Sequence, residues 1–296
     1  MSSELVLSQE MSAGPARLRV DVLGGPARDS IVNDMDFLNY RLAAVSMEPS
    51  VTLSQPDVIW DVEAATDISY DGHAMRLSGE WSVGAIQKIL VTMLALRMEA
   101  RGLHPSHSSA VRYRDQSILF LGGESNHGKS MGQIEACRRG GLLISTETTV
   151  IDEQVNAVMG SKSVFLREKR AKGTERADKA APTQGVSKFW GEMPTWEEYP
   201  DISRIDVVVL PAIDGNFDPS TKQLGEFESQ FQAFHSLQNY FLTNELLAPG
   251  FPMPLVDTEE LRRQRASFVR TFGDRPFYFV RAATPQVLMD EVDQVL

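Results

Sequence analysis

Residues 118–130 read ILFLGGESNHGKS. An uninterrupted apolar run, 118–121, leads into two glycines and then the spacing G-x-x-x-x-G-K-S, with Gly123, Gly128, Lys129 and Ser130 at the fixed positions. A wholly apolar run of this length is what a strand covered on both faces requires. Glycines let the backbone curl into a concavity whose N–H groups converge on phosphate oxygens, and the first turn of a following helix adds partial positive charge. Lys129 is placed to reach the β- and γ-phosphates, and the Ser130 hydroxyl to ligate Mg2+. Asn126 is of a type that tolerates left-handed backbone angles. The pattern arises by chance in about one chain in a hundred of this length. An apolar strand before it and a helix-like segment after it sharpen it. The expected ligands are ATP and Mg2+, with Gly123, Glu124, Ser125, Asn126, His127, Gly128, Lys129, Ser130 and Met131 around the nucleotide.

Working outward, residues 107–123 (HSSAVRYRDQSILFLGG) read as two strands about a turn at 114–116, 129–139 as a helix, and GLLIST (141–146) as another apolar strand. Residues 148–166 read as short strands separated by turns. RIDVVVLPAI (204–213) and PFYFVRA (276–282) read as strands, and 224–247, 258–272 and 285–296 as helices. On the N-terminal side, LRVDVLG (18–24) and PDVIWDVEAA (56–65) read as strands, and residues 33–45 as a short helix capped by Asn33. Asp71-Gly72 within DISYDGHAMRLSG (67–79) signals a hairpin. Residues 82–101 read as an amphipathic helix stopped at Gly102. The expected organisation is a flexible tail over 1–16, an α+β region over 17–103, and an α/β phosphate-loop domain over 104–296. Residues 167–188 have few large apolar side chains and many charges, which reads as a mobile loop. Its cations Arg167, Lys169, Arg170, Lys172, Arg176 and Lys179 make it a candidate lid over phosphates.

Composition excludes several classes. The chain has 296 residues, 42% hydrophobic and 23% charged, and 29 basic against 40 acidic residues give a formal charge of −11. That balance argues against a broad nucleic-acid-binding face. A single cysteine, Cys137, permits no intrachain disulfide and suits a reducing cytoplasm. The N-terminus lacks the basic start and apolar core of a secretory signal, and no apolar run is long enough to span a membrane. His73, His104, His107, His127 and His235 show no zinc-ligand spacing.

HSSAV (107–111), the loop itself, and ACRRGGLLISTETTVI (136–151) together resemble the catalytic domain of HPr kinase/phosphorylase and its wider set of related proteins. The resemblance implies an α/β fold akin to phosphoenolpyruvate carboxykinase, a phosphate-loop domain with a central mixed sheet behind a small strand-rich N-terminal region. It also implies an ATP-dependent kinase with a hydroxyl acceptor. By the same resemblance Glu124 is the loop's acidic residue, His107 the active-site histidine, and Thr146 and Glu147 fall where the family carries two acids. Glu147, His107 and Lys129 are then the catalytic candidates, and Ser130 and Glu147 the metal candidates. Asp152 is a second candidate base, and Asp214 could face the site from a strand end. The first 80 residues do not resemble the N-terminal domain of true HPr kinases. That points to another acceptor: a small metabolite, an amino acid, or a serine of a peptide or carrier. HPr kinases assemble into hexamers, but that state does not carry over to a chain whose N-terminal region differs, so a homo-oligomer stays an open expectation. Thr146 in place of an acid sustains the alternative, a nucleotide-binding regulatory or scaffold protein without transfer activity.

Overall fold

The computed structural model describes residues 3–33, 35–51, 54–122, 127–162, 196–213, 218–240 and 256–296. Gly123, Glu124, Ser125, Asn126, Asp214 and the charged segment 167–188 lie outside the described residues. What is described is an α/β architecture of two mixed sheets and six helices.

The chain opens with strand β1 (Leu5–Ala13), where a loose tail was expected. The correction has a plain cause. The strand hairpins onto β2 (Ala16–Leu23), with Ala13 opposite Ala16 at the turn. Its inward positions Gln9, Met11 and Ala13 alternate at the two-residue period of a strand and are buried. Polar, small neighbours hide that alternation in composition. Helix α1 (Asp36–Arg41) is shorter than the expected 33–45. Met35, not Asn33, holds its N-cap, and Leu42 ends it in an extended conformation. Strands β3 (Val45–Pro49), β4 (Val58–Asp61), β5 (Asp67–Tyr70) and β6 (Met75–Ser78) complete a six-stranded sheet of order β3-β1-β2-β4-β6-β5. The β5–β6 hairpin is where the sequence placed it, and the Asp71 carboxylate accepts from the His73 and Ala74 amides at 2.9 and 2.8 Å.

Helix α2 (Val83–Glu99) starts on the Ser82 hydroxyl, which accepts from the Ala85 amide. It is not amphipathic: thirteen of its seventeen residues are buried. It packs against β2 of the first sheet and β7 (Leu103–Tyr113) of the second, so both sides of the helix are covered.

The second sheet continues with β8 (Gln116–Leu121), then helix α3 (Lys129–Arg138), β9 (Leu142–Ser145), β10 (Thr148–Asp152), β11 (Asn156–Gly160), β12 (Ser203–Arg204), β13 (Val207–Ile213) and β14 (Ser220–Gln223). Helices α4 (Glu226–Gln238) and α5 (Glu259–Gly273), strand β15 (Phe277–Ala282) and helix α6 (Pro285–Val292) follow. The order is β12-β11-β10-β7-β8-β13-β15-β14, with β9 pairing β7. β8, β13 and β15 run parallel, and the other pairings are antiparallel. Arg114 and Asp115 join β7 to β8 with φ of 47° and 60°, the left-handed pair that a two-residue hairpin needs. Both faces of the apolar run are used. Ile118 and Phe120 pack with Ala136 of α3 and Leu288 of α6. Leu119 and Leu121 join the larger core with α2, α4 and α5 residues. No helix among the described residues is long and apolar enough to cross a membrane.

Candidate functional site

The site forms where parallel strands β8 and β13 end and α3 begins, the place where an α/β sheet presents backbone amides to a ligand. Gly128 is the N-cap of α3, with φ 109° and ψ 8°. A Cβ there would lie 2.7 Å from Ile213 Cγ1, at the end of β13. The Ile213 amide donates to the His127 carbonyl at 3.2 Å, which ties the loop's exit to that strand. The His127 side chain is exposed, and Ser130 and Met131 are half-buried in the first turn of α3. Gly128→Ala is expected to cost about 1–3 kcal/mol through left-handed strain. The Ile213 clash adds to it. A urea unfolding midpoint measures the loss, and Ile213→Ala in the same chain should recover only the part due to the clash.

Lys129 turns inward. Its Nζ lies 2.7 Å from His107 Nε2, and the same nitrogen lies 2.7 Å from Glu147 Oε1. The structure therefore brings together three sequence candidates from three elements: β7, the β9–β10 turn and α3. All three side chains are buried, at 5% (His107), 8% (Glu147) and 7% (Lys129) exposure. One imidazole nitrogen cannot donate to a carboxylate and accept from an ammonium at once, so the two contacts compete for it. The His107 Nδ1 is buried with no hydrogen-bond partner among the described residues.

The electrostatics fix the charges. Burial would raise the Glu147 carboxyl, but His107 first, then Lys129 and Arg41, outweigh it and pull it down to about 2. Burial pushes the His107 imidazolium below its usual range, and Lys129 and Arg41 add to that against the pull of Glu147. Glu147 is a carboxylate at neutral pH, and burial biases the His107 imidazole toward its neutral form.

The turn carrying Glu147 is held at both ends. Its carbonyl accepts from the Ser108 amide at 3.1 Å. The Ser161 hydroxyl accepts from the amides of Glu147 (3.1 Å) and Thr148 (2.9 Å). Thr146 is buried and donates to the Ser161 carbonyl at 3.0 Å, so this residue belongs to the turn's scaffold. Asp152 sits at the far end of β10, where its carboxylate accepts from the amides of Gln154 and Asn156, and it caps a turn away from Lys129. Asp206 likewise serves the scaffold, accepting from the Ser117 amide at 2.8 Å.

Sequence reasoning missed Arg41. This last residue of α1 is buried, and its Nη1 stands 3.9 Å from Glu147 Oε1. Its Nη2 donates to the Asn239 carbonyl at the end of α4 at 3.2 Å, and its guanidinium lies 5.1 Å from the Tyr240 ring centre. Tyr240 donates to Thr148 Oγ1 (2.6 Å), which donates to the Arg41 carbonyl (2.7 Å). The one signal available was a cation among Leu38, Arg41 and Leu42, on the apolar side of a short helix.

Among the described residues, no group of three or more His, Cys, Asp or Glu side chains could hold a metal ion. The chain matches no protein-family model and, in a search of curated proteins, none of those either.

Proposed function

We propose that this protein is an ATP-dependent kinase of the HPr kinase/phosphorylase-like kind, which transfers a γ-phosphoryl group to the hydroxyl of a small metabolite, an amino acid or a peptide serine. The observation that carries this reading is the contact of Lys129, in the first turn of the helix after G-x-x-x-x-G-K-S, with a buried His107–Glu147 pair.

In such a transfer the bond from the γ-phosphorus to the oxygen of ADP breaks, a bond to the acceptor oxygen forms, and the acceptor's proton must leave. The transition state is loose, so the attacking hydroxyl needs orientation more than early deprotonation. A carboxylate held down to about 2 is a poor base but a strong hydrogen-bond acceptor, and Glu147 suits the role of aligning the hydroxyl and taking its proton late. Lys129 has a role on the phosphate side. When its ammonium turns to phosphate oxygens, the competition at His107 Nε2 ends and that nitrogen can donate to Glu147 alone. His107 then fixes the carboxylate's orientation. Mg2+ entering with the nucleotide would offset phosphate charge, with Ser130 and Glu147 as the residues to hold it. The fit is reasonable, because Mg2+ keeps several waters and asks the protein for only one or two oxygens. Glu147 has that capacity, since only its Oε1 is engaged by His107.

Lys129→Ala is expected to weaken ATP binding on the order of ten- to a hundredfold, the worth of a hydrogen bond to a charged group. Calorimetry on the wild type and the variant measures it, and equal affinities would remove the basis of the reading. Incubating the purified chain with Mg-ATP and pools of metabolites and peptides then separates the kinase from the alternative. A phosphorylated product beyond ADP supports transfer. ATP binding with no product favours the regulatory or scaffold reading, for which Thr146, bound into the turn in place of an acid, is the specific argument.

A further inference from the structure

We infer that Arg41 provides an oxyanion-binding position in this site, supplied by the N-terminal segment that carries none of the loop motif. The inference rests on the proposed nucleotide-binding reading and extends it to a residue outside the phosphate-loop region.

The argument begins with cost. Taking a guanidinium out of water is expensive unless its charge is paired and its N–H groups are satisfied. Arg41 is buried at 6% exposure, yet its Nε has no hydrogen-bond partner among the described residues. Its nearest carboxylate oxygen, Glu147 Oε1, stands at 3.9 Å, beyond hydrogen-bonding range, and that oxygen already engages His107 at 2.7 Å. Among the described residues only Nη2 has a full hydrogen bond, to the Asn239 carbonyl. A structural arginine that merely pinned α1 to α4 would be expected to form a bidentate pair with a carboxylate. Arg265 does so elsewhere in this chain, engaging Glu99 and Asp257.

The fork is also held in place. The Arg41 carbonyl is fixed by Thr148, which is fixed by Tyr240, and the guanidinium lies over the Tyr240 ring. Thr148 is the residue after Glu147, so the strand that positions the carboxylate also positions the arginine. A planar, preorganised fork with unused donors is the group that suits a tetrahedral or planar oxyanion. Two sources share that chemistry: the terminal phosphate of the nucleotide, and an anionic group on the acceptor.

The test measures the affinity of the full chain for ATP, ADP and inorganic phosphate by calorimetry, in the wild type, Arg41→Gln and Arg41→Met, with Lys129→Ala as the control for the loop. Arg41→Met keeps the length of the apolar stem and removes the charge. Because it takes one cation from the buried Glu147 it costs stability, so Arg41→Gln stands beside it and affinities are compared on chains that melt as folded. The expected result is a loss on the order of ten- to a hundredfold in the Arg41 variants, while thermal melts show them folded. A loss for ATP but not ADP identifies the terminal phosphate as the source. A loss confined to inorganic phosphate, measured with ADP saturating, identifies the acceptor side. If the wild type binds no nucleotide but binds phosphate in an Arg41-dependent way, the kinase reading fails and the oxyanion position stands. Folded Arg41→Met that binds all three ligands like the wild type, or a wild type that binds none of them, overturns the inference.

Discussion

Glu147→Gln is expected to lower phosphoryl transfer by about a hundred- to ten-thousand-fold, the range for removing a positioned acid–base group. ATP affinity should fall far less, staying within about tenfold of wild type, since the loop and Lys129 are untouched and Glu147 would meet the nucleotide only through Mg2+, a contact of about the size of one hydrogen bond. The split follows from the geometry. The Gln carbonyl can still accept from His107 Nε2, so the shape of the pair at 2.7 Å survives. What disappears is the negative charge that aligns a hydroxyl and receives its proton. Single-turnover rates with Mg-ATP and the acceptor, set beside calorimetric affinities, measure both halves. A variant that turns over at the wild-type rate would take Glu147 out of the chemistry. One that loses ATP binding in proportion to rate would make it a nucleotide-binding residue instead.

The same pair shows what the sequence could and could not disclose. The apolar run 118–121 and the glycine spacing were local signals, and β8 and α3 lie where they pointed. The β7–β8 and β5–β6 hairpins were legible for the same reason: a turn and its flanking strands are close in sequence. Strand β1 was not, because only three of its inward positions alternate and the residues between them are small or polar. Strands β3 and β14 were missed too. Both are short, largely exposed edge strands with no core-facing pattern to read. The burial of α2 was hidden because it depends on two sheets arriving on opposite sides of one helix. His107 and Glu147 came from a resemblance, and β7 brings them together by pairing with both β9 and β10. Arg41 had no such help. Its hydrogen-bonding partner on α4 is 198 residues away, and no periodicity reaches that far.

Away from the site, Arg265→Met should be the most destabilising single substitution of a buried polar side chain described here, at about 3–5 kcal/mol by urea unfolding. Arg265 on α5 donates through Nε to both Glu99 oxygens at 2.9 and 3.0 Å, and through Nη1 and Nη2 to Asp257 at 3.0 and 3.1 Å. Its Nη2 makes a further close contact with Glu99 Oε2. All three side chains are buried, so this one guanidinium serves two carboxylates and fastens the end of α2 to α5. His104, stacked on Phe268 with ring centres 3.9 Å apart, places Nδ1 only 3.7 Å from Glu99 Oε1 and cannot replace the lost donors. The pH dependence follows with a definite sign. Burial opposes the Glu99 charge, but Arg265 and then His104 outweigh it, so the wild-type carboxyl sits below its usual 4.5. That stability is present above the unfolded value and lost as pH falls through the folded one. Without Arg265, burial is left in control and raises the Glu99 carboxyl, so the variant's penalty is full above its raised folded value and fades in acid. The two stability curves should therefore converge as pH falls from 7 toward 4. A second chain, Arg265→Met with Glu99→Leu and Asp257→Leu, removes all three charges together and should recover most of the loss, since apolar replacement of a whole buried ion group is often neutral. If the single variant melts like the wild type, or if its deficit is the same at every pH, the network does not hold α2 to α5 through charge.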